Sequence, residues 1–287
     1  MANEDQRELG DLLGMNPEHL LVRLRPFSAA RPTEPSQIIL EDELWFASVR
    51  SQDDIFEGKP RFTWRDPPTS DADLAEMIRR QGIPEPTASV LRREFAKQIA
   101  DPAILAKMCR DLEDRNHELY ERSSIASFLS EPFNQELWSR YGNQGNGYGV
   151  VFDGSKPWHL QVAEGHAPMD LVPFPVKYVD TRGRPAIELA FAPADPSNSF
   201  PEIEKALLSK SAKWKHQDEN RMFRIGIPEG NVRFPSEILR AVLLGYNVRE
   251  PDKKRIIEMV SKRAEPIPVF QLEEHPEIYP LRPIKIA

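Results

Sequence analysis

Apolar and polar positions alternate with a period of two in several short segments, which predicts β-strands. The clearest segments are 19–27 (HLLVRLRPF), 123–129 (SSIASFL) and 147–153 (GYGVVFD). Other apolar or alternating runs predict strands within 43–49, 171–180, 220–227, 237–245 and 269–274. The chain also contains 27 prolines, which divide it into short elements.

A helical period of about 3.6 residues replaces this alternation in other parts of the chain. It predicts helices over 1–16, 70–82, 87–122 and 251–266, with 87–122 divided into two helices at Asp101-Pro102. Segment 50–69 is predicted to be a loop with aromatic inserts. Beyond residue 153, loops separate the predicted elements.

Helices concentrated between strand-rich regions predict an α+β protein with a mainly antiparallel sheet core. We expect one domain over 1–287, because no linker is long enough to separate two. In this arrangement 18–69 and 123–287 form the sheet core, and 70–122 forms a helical insertion.

The composition limits the class of protein. The chain has 287 residues, of which 40% are hydrophobic and 29% charged, as in a folded protein. Its net charge of -7 argues against general electrostatic binding of nucleic acid. No apolar run reaches the roughly 18 residues of a membrane helix, and the acidic N-terminus does not resemble a secretory signal. We therefore expect a cytoplasmic protein without membrane contact.

Common catalytic and metal-binding motifs are missing from the sequence. The single cysteine, Cys109, lies in a helical context without a nearby histidine, and no two of the six histidines have ligand spacing. No metal site is predicted. The glycine-rich segment 142–149 enters a strand instead of leaving one, so it does not match a phosphate-binding loop. A serine nucleophile elbow is also missing.

Segment 213–224 (KWKHQDENRMFR) gathers polar residues around one tryptophan. In an extended conformation, Gln217, Glu219, Arg221 and Phe223 would share one face, with the carboxylate between an amide and a guanidinium. In a helix, Gln217 would instead pair with Arg221 and the charges would be solvated. The pattern alone favours the helix.

Four groups of residues occur in order along the chain. They are Arg23-Leu24-Arg25; LWFAS (44–48) with Asp53-Asp54-Ile55-Phe56-Glu57; Phe128-Leu129-Ser130-Glu131 with Trp138-Ser139-Arg140-Tyr141 and GVVFD (149–153); and Trp214, Gln217, Glu219 and Arg221. Together they resemble a bacterial family catalogued as domain of unknown function 2971, over about residues 19–286. The chain departs from that family's pattern at Asp53, Ile55, Arg140 and Gln217.

The order of arginine, serine and Gln-x-Glu is also similar to that of ADP-ribosyltransferases, and this similarity implies that NAD is a substrate. Arg25, or Arg23, is then expected to bind the pyrophosphate. Ser127 or Ser130 is expected to orient Glu219, which would bind the ribose hydroxyl and stabilise an oxocarbenium-like transition state.

The remaining candidate residues follow from the same similarity. Gln217 is expected to position the acceptor, Trp138 or Tyr141 to stack on nicotinamide, and Arg221 to belong to the cofactor-binding set. The reaction would be ADP-ribosyl transfer to a protein or nucleic acid, or hydrolysis of NAD, in a bacterial toxin or phage-defence effector. Structural alternatives are a solvent-facing strand for Arg23 and Arg25, and core packing for Trp138 and Tyr141.

Two other classes of function stay open at the sequence level. The helical region 70–122 would dock a partner protein through a set of its arginines: Arg79, Arg80, Arg92, Arg93, Arg110 and Arg115. Asp53, Asp54 and Glu57 would instead hold magnesium in a nuclease, or cap a turn.

Overall fold

A computed structural model describes residues 4–28, 30–54, 56–64, 74–75, 78–79, 83–161, 167–180, 185–189, 200–274 and 281–287. The helices are α1 (Glu4–Leu13), α2 (Glu34–Leu40), α3 (Thr87–Ile99), α4 (Pro102–Glu121), α5 (Gln135–Tyr141), α6 (Phe200–Leu207) and α7 (Glu250–Ser261). The first eight strands are β1 (Leu20–Arg25), β2 (Glu43–Ser48), β3 (Arg61–Trp64), β4 (Ser124–Leu129), β5 (Tyr148–Asp153), β6 (Trp158–Leu160), β7 (Met169–Leu171) and β8 (Phe174–Pro175). The others are β9 (Lys177–Val179), β10 (Ala186–Leu189), β11 (Ser209–Ser211), β12 (Glu219–Arg224), β13 (Gly230–Arg233), β14 (Leu239–Leu244), β15 (Val269–Glu274) and β16 (Leu281–Lys285).

Ten strands form the main sheet, in the order β13-β2-β4-β1-β5-β14-β15-β16, with β12 paired to β4 and β8 paired to β12. The pairing of β14 with β15 is parallel. The other pairings described in this sheet are antiparallel. The chain is therefore an α+β protein with a mainly antiparallel sheet, as the sequence pattern predicts.

Helices cover both faces of the sheet centre, which explains why β1 and β5 are buried on both sides. On one face, α2 and α7 contribute Ile38 and Ile256 to a core that includes Phe152. On the other face, α1 and α5 contribute Leu9 and Trp138 to a second core. Burial of both faces removes the solvent-exposed side that would otherwise give a strict two-residue alternation.

The sheet divides at β4. One edge of β4 pairs along its whole length with β12, from Glu219 opposite Leu129 to Arg224 opposite Ser124. The other edge pairs with β2 only at residues 124 and 125, and with β1 only at Leu129. Residues 126–128 consequently have no partner on that edge among the described strands, and β1 and β2 diverge from β4 around an opening.

Helices α3 and α4 form the helical region between β3 and β4, and they separate where the sequence predicts. The Asp101 side chain accepts hydrogen bonds from the backbone N–H groups of Ala103 and Ile104, at 2.8 and 3.3 Å, and so caps α4. Of the predicted helix 70–82, only 74–75 and 78–79 are described, and they are helical. The rest of that segment, with Arg80, lies outside the described residues.

Segment 50–69 contains one strand, so the prediction of a loop throughout is wrong. Arg61–Trp64 pairs in parallel with β10, and Phe62 and Trp64 pack against a third apolar cluster that includes Ile187 and Leu207. The aromatic residues that looked like inserts in a loop are therefore packing residues of β3. None of the helices in the described part of the chain is long and apolar enough to cross a lipid bilayer.

Candidate functional site

A cavity of about 170 Å³ lies at the opening between β1 and β2. Charged groups line it from both sides: Arg23, Arg25, Lys210, Asp53 and Glu219. Ser127, Tyr141, Gln217 and Gln52 are its uncharged polar residues. The opening between β1 and β2 thus brings together side chains from these two strands, from β4 and from the segment before β12.

Glu219 reaches this cavity because the backbone turns sharply just before it. Residues Ala212–Gln217 form a 3-10 turn that ends at Asp218, whose φ of 40° and ψ of 60° are left-handed. Strand β12 begins at the next residue, and the Glu219 N–H donates to the Tyr178 hydroxyl at 2.9 Å. The helical interpretation of 213–224 is therefore wrong from residue 219 onward.

The extended interpretation holds within β12. Arg221 lies opposite Ser127, and Glu219 lies opposite Leu129. Side chains directly opposite in a strand pair share one face of the sheet, so Glu219 and Arg221 point to the same face as Ser127. Met222, on the other face, packs in the core.

The Glu219 carboxylate is almost fully surrounded by donors. The Nε and Nη2 groups of Arg221 donate to it at 2.6 and 3.1 Å, and the Lys210 Nζ donates at 3.1 Å. The Ser127 hydroxyl also hydrogen-bonds to it. Burial favours the neutral acid, but these cations and hydrogen bonds outweigh it and lower the pKa of Glu219 to about 2. The group is therefore an ionised hydrogen-bond acceptor.

A second buried carboxylate, Glu57, completes a four-charge cluster with Glu219, Arg221 and Lys210. Glu57 forms ion pairs with Arg221 and, at 3.8 Å, with Lys210. The side chains are between 0% and 6% exposed. Burial raises the pKa of Glu57, although Arg221 and Lys210 oppose the increase. Two carboxylates and two cations give the cluster no net charge, which limits the cost of burying it.

The opposite wall carries cations with fewer partners. Arg23 is 5% exposed, and its Nη2 donates to the Trp45 carbonyl at 2.7 Å. Its Nη1 is buried and has no hydrogen-bond partner among the described residues. Burial and the neighbouring Arg25 lower the pKa of Arg23. Arg25 lies 2.9 Å from a Glu34 oxygen through its Nε, without the alignment of a hydrogen bond. The geometry leaves one guanidinium with a donor available for an anion.

Three polar side chains extend from the charged cluster along the cavity wall. The Lys210 Nζ donates to the Gln217 Oε1 at 2.8 Å, and the Gln217 Nε2 donates to the Tyr141 hydroxyl. Burial and the nearby Asp53 raise the pKa of Tyr141 to about 12, so the phenol is protonated at neutral pH.

Trp138 lies away from the cavity that Tyr141 lines, which is inconsistent with stacking on a ligand. It is fully buried in the second core, and its Nε1 donates to the Pro132 carbonyl at 2.8 Å. Helix α5 spans both residues, but Trp138 faces the core. Its packing role matches the structural alternative that the three-residue spacing suggested.

Ser130 and Arg221 also lie outside the cavity lining. The Ser130 hydroxyl donates to the Asp218 carbonyl at 3.0 Å and accepts from the Asn220 amide at 2.8 Å, so Ser127 is the serine that contacts Glu219. Arg221 is fully buried beneath Glu219 and contacts the Leu207 carbonyl as well. Its position suits holding Glu219 and Glu57, not contacting a cofactor.

Besides Gln52, Lys210 is the polar residue of this cavity that the sequence analysis missed. It lies in β11, which pairs with β9 outside the main sheet, and it contacts residues 57, 217 and 219. The sequence offers one weak signal: a lysine three residues after the apolar end of α6 and three residues before the polar segment 213–224. Its partners are set by tertiary structure.

The carboxylates proposed for magnesium do not form a cation site in the described part of the chain. Glu57 is engaged by two cations, and Asp54 accepts a hydrogen bond from the Phe56 N–H at 3.1 Å, which is the turn-capping alternative. Asp53 faces the cavity. Among the described residues, no group of three His, Cys, Asp or Glu side chains is placed to hold a metal ion.

The chain matches no protein-family model, no curated protein sequence and no solved structure.

Proposed function

We propose that the cavity binds NAD and that the protein cleaves its nicotinamide–ribose bond, transferring ADP-ribose to a protein, a nucleic acid or water. One observation carries the proposal: a buried guanidinium, with one donor that no described residue accepts from, and a buried, ionised glutamate line the same small cavity. NAD presents a pyrophosphate for the first group and ribose hydroxyls for the second. A cavity of about 170 Å³ has room for only part of the dinucleotide.

Glu219 suits the stabilisation of a positively charged transition state better than acid catalysis. A general acid must hold a proton near the working pH, whereas Glu219 has a pKa of about 2. An ionised carboxylate can accept a hydrogen bond from a ribose hydroxyl and stabilise the oxocarbenium ion as nicotinamide leaves. The carboxylate already accepts from Arg221, Lys210 and Ser127, so the ligand hydroxyl would share or replace the Ser127 hydrogen bond.

Arg23 suits the anionic part of the ligand. A buried cation whose pKa is lowered by burial and by a like charge is stabilised when an anion binds. Guanidinium groups bind phosphate oxygens through paired N–H donors. Arg25 lies beside it on the same strand and adds a second positive charge.

The order of motifs along the chain supports the same assignment. An arginine on the first strand, a serine on a middle strand and Gln-x-Glu at a late strand is the order in ADP-ribosyltransferases, to which the sheet core would be related in fold. The serine in this chain would be Ser127. A toxin or phage-defence effector of bacteria is the biological role that we propose, with the unknown-function family 2971 as its relatives.

The test is release of nicotinamide from NAD by the purified protein, measured by chromatography, together with transfer of labelled ADP-ribose to proteins or RNA of a bacterial lysate. We expect Ser127→Ala to lower the rate and Glu219→Gln to abolish it. Ser130→Ala is the matched control, because Ser130 lies outside the cavity. Thermal unfolding of each variant shows whether it folds. The proposal is wrong if the folded wild-type protein neither binds NAD nor releases nicotinamide with any acceptor.

A partner-docking role for the helical region stays a prediction. Within α3 and α4, Tyr120 is the one residue described as buried, and the exposed apolar residues are Val90, Leu91, Ile104 and Leu119. These residues lie away from the cavity. Their substitution by glutamate should leave NAD cleavage by the isolated protein unchanged.

A further inference from the structure

The hydrogen-bond chain from Lys210 to Tyr141 has a direction that the chemistry of its first member fixes. A lysine ammonium has donors and no acceptor. The amide atom of Gln217 that faces it at 2.8 Å must therefore be the oxygen. This removes the usual uncertainty between the O and N atoms of an amide side chain. The Nε2 of Gln217 then points to Tyr141 as a donor.

Tyr141 consequently uses its hydroxyl oxygen as an acceptor within the protein. Its own O–H proton has no hydrogen-bond partner among the described residues, and the residue lines the cavity. Lys210 also donates to Glu219 on its other side. The Lys210 ammonium thereby orients two groups that line the same cavity. Glu219 is a hydrogen-bond acceptor, and Tyr141 is a hydrogen-bond donor.

We propose that Tyr141 is a ligand-binding residue that donates a hydrogen bond to an acceptor oxygen of the ligand, and that Lys210 and Gln217 are positioning residues that fix this direction. The ligand class is a compound that carries a hydroxyl for Glu219 and a carbonyl or phosphoryl oxygen for Tyr141. NAD belongs to this class, and that part of the inference rests on the proposed function. A chain of aligned hydrogen bonds strengthens its terminal donor.

A single substitution reverses the direction of the chain. Gln217→Glu keeps an acceptor for Lys210 but replaces the amide donor by a carboxylate oxygen, which can only accept. The Tyr141 hydroxyl must then donate to Glu at position 217, and its proton is no longer available to a ligand. Tyr141→Phe removes the same donor without changing any charge, so the two substitutions should remove one shared interaction.

The first experiment measures NAD affinity by calorimetry in a double-mutant cycle. We expect Tyr141→Phe to weaken NAD binding roughly 2- to 12-fold, as for loss of one hydrogen bond. In the Gln217→Glu background, the same change should have no further effect, whatever the added charge itself does to affinity. An equal loss in both backgrounds would overturn the proposal. Thermal unfolding serves as the folding control.

The second experiment uses the free protein, so its result does not depend on NAD being the ligand. The method is NMR spectroscopy of protein labelled with ¹³C at the Cζ atom of its six tyrosines. The resonance that is lost in Tyr141→Phe is the one of Tyr141. Donation to a carboxylate gives the phenol partial phenolate character. We expect Gln217→Glu to move this resonance toward its phenolate position while the other five stay in place. An unchanged resonance contradicts the assigned direction. A moved resonance without any NAD binding supports the direction and contradicts the proposed function.

Discussion

The two walls of the cavity differ in how completely their buried charges are paired. On the β12 wall, Glu219 has Arg221, Lys210 and Ser127 as partners, and Glu57 balances the cations. On the β1 wall, Arg23 keeps a buried donor that has no partner in the part of the chain that the structure describes. Both walls bury charged side chains, yet only the β12 wall pairs each of them with an opposite charge.

This difference separates a preorganised group from a binding group. A buried polar atom without a partner costs on the order of 1–3 kcal/mol, and more when charged. A fold retains such a cost most readily where a ligand removes it. Glu219 is held ready by its neighbours, whereas Arg23 gains its partner from an anion. The comparison predicts that replacing an arginine should greatly lower the free energy of unfolding on the β12 wall. On the β1 wall it should mainly weaken anion binding.

Arg221→Leu should give the largest effect. Removal of this cation leaves two carboxylates buried with Lys210 alone, which should lower the free energy of unfolding by about 3–5 kcal/mol. Urea unfolding followed by circular dichroism measures the change. The Arg221→Leu/Glu57→Gln double variant should recover part of the loss, because it removes the one carboxylate charge that Lys210 leaves uncompensated.

An exposed arginine supplies the matched control. Arg140 is 49% exposed and pairs with Glu136 at 3.2 Å within α5. Its replacement by leucine should change the free energy of unfolding by no more than about 0.5 kcal/mol. If Arg221→Leu costs no more than Arg140→Leu, the buried cluster does not stabilise the fold as described.

The pH dependence of stability tests the acidic wall separately. The pKa of Glu219 falls from 4.5 to about 2 on folding. Since the folded state holds this proton more weakly, its contribution is complete above about pH 4.5 and is lost as the pH falls toward 2. The contribution is on the order of 3 kcal/mol. Glu57, with a raised pKa, contributes in the opposite sense.

Glu219→Gln isolates this contribution. The free energy of unfolding of the wild-type protein should decrease between pH 4.5 and 2.5 more steeply than that of the variant, in urea titrations at several pH values. The exposed pair partner Glu136 provides the control, because Glu136→Gln should keep the wild-type slope. Parallel curves for the wild-type protein and Glu219→Gln would show that Glu219 is not ionised by its partners.

The sequence predicted local structure better than it predicted the site. The break between α3 and α4 was predictable because Asp101 and Pro102 act within one turn. The choice between helix and strand at 213–224 was not, because it depends on the left-handed Asp218 and on pairing with β4. The polar residues of this segment fit both a helix and a strand, and only pairing with a neighbouring strand distinguishes the two.

The candidate residues show the same division. The similarity in motif order indicated Arg25 or Arg23, Ser127 or Ser130, and Glu219, and the structure places all of these except Ser130 on one cavity. It did not indicate Lys210, whose contacts with residues 57, 217 and 219 depend on the position of β11, which pairs with β9 outside the main sheet. Trp138 carried an aromatic signal that suits stacking and core packing equally, and only its burial separates the two.

Among the substitutions in the two walls, Arg23→Met gives the smallest effect on stability and the sharpest contrast with Arg221→Leu. Methionine keeps much of the side-chain length and removes a buried cation that lacks a full set of partners, so the free energy of unfolding should change by less than about 1 kcal/mol in either direction.

The response to anions should change instead. Millimolar inorganic pyrophosphate should raise the melting temperature of the wild-type protein, because a ligand of the folded state stabilises it, and should not raise that of Arg23→Met. Arg25→Met tests the neighbouring cation, which already lies beside Glu34, and should reduce the response without abolishing it. Equal responses to pyrophosphate in the wild-type protein and Arg23→Met would contradict the binding role of this wall, and a loss of several kcal/mol in Arg23→Met would show that both walls are compensated alike.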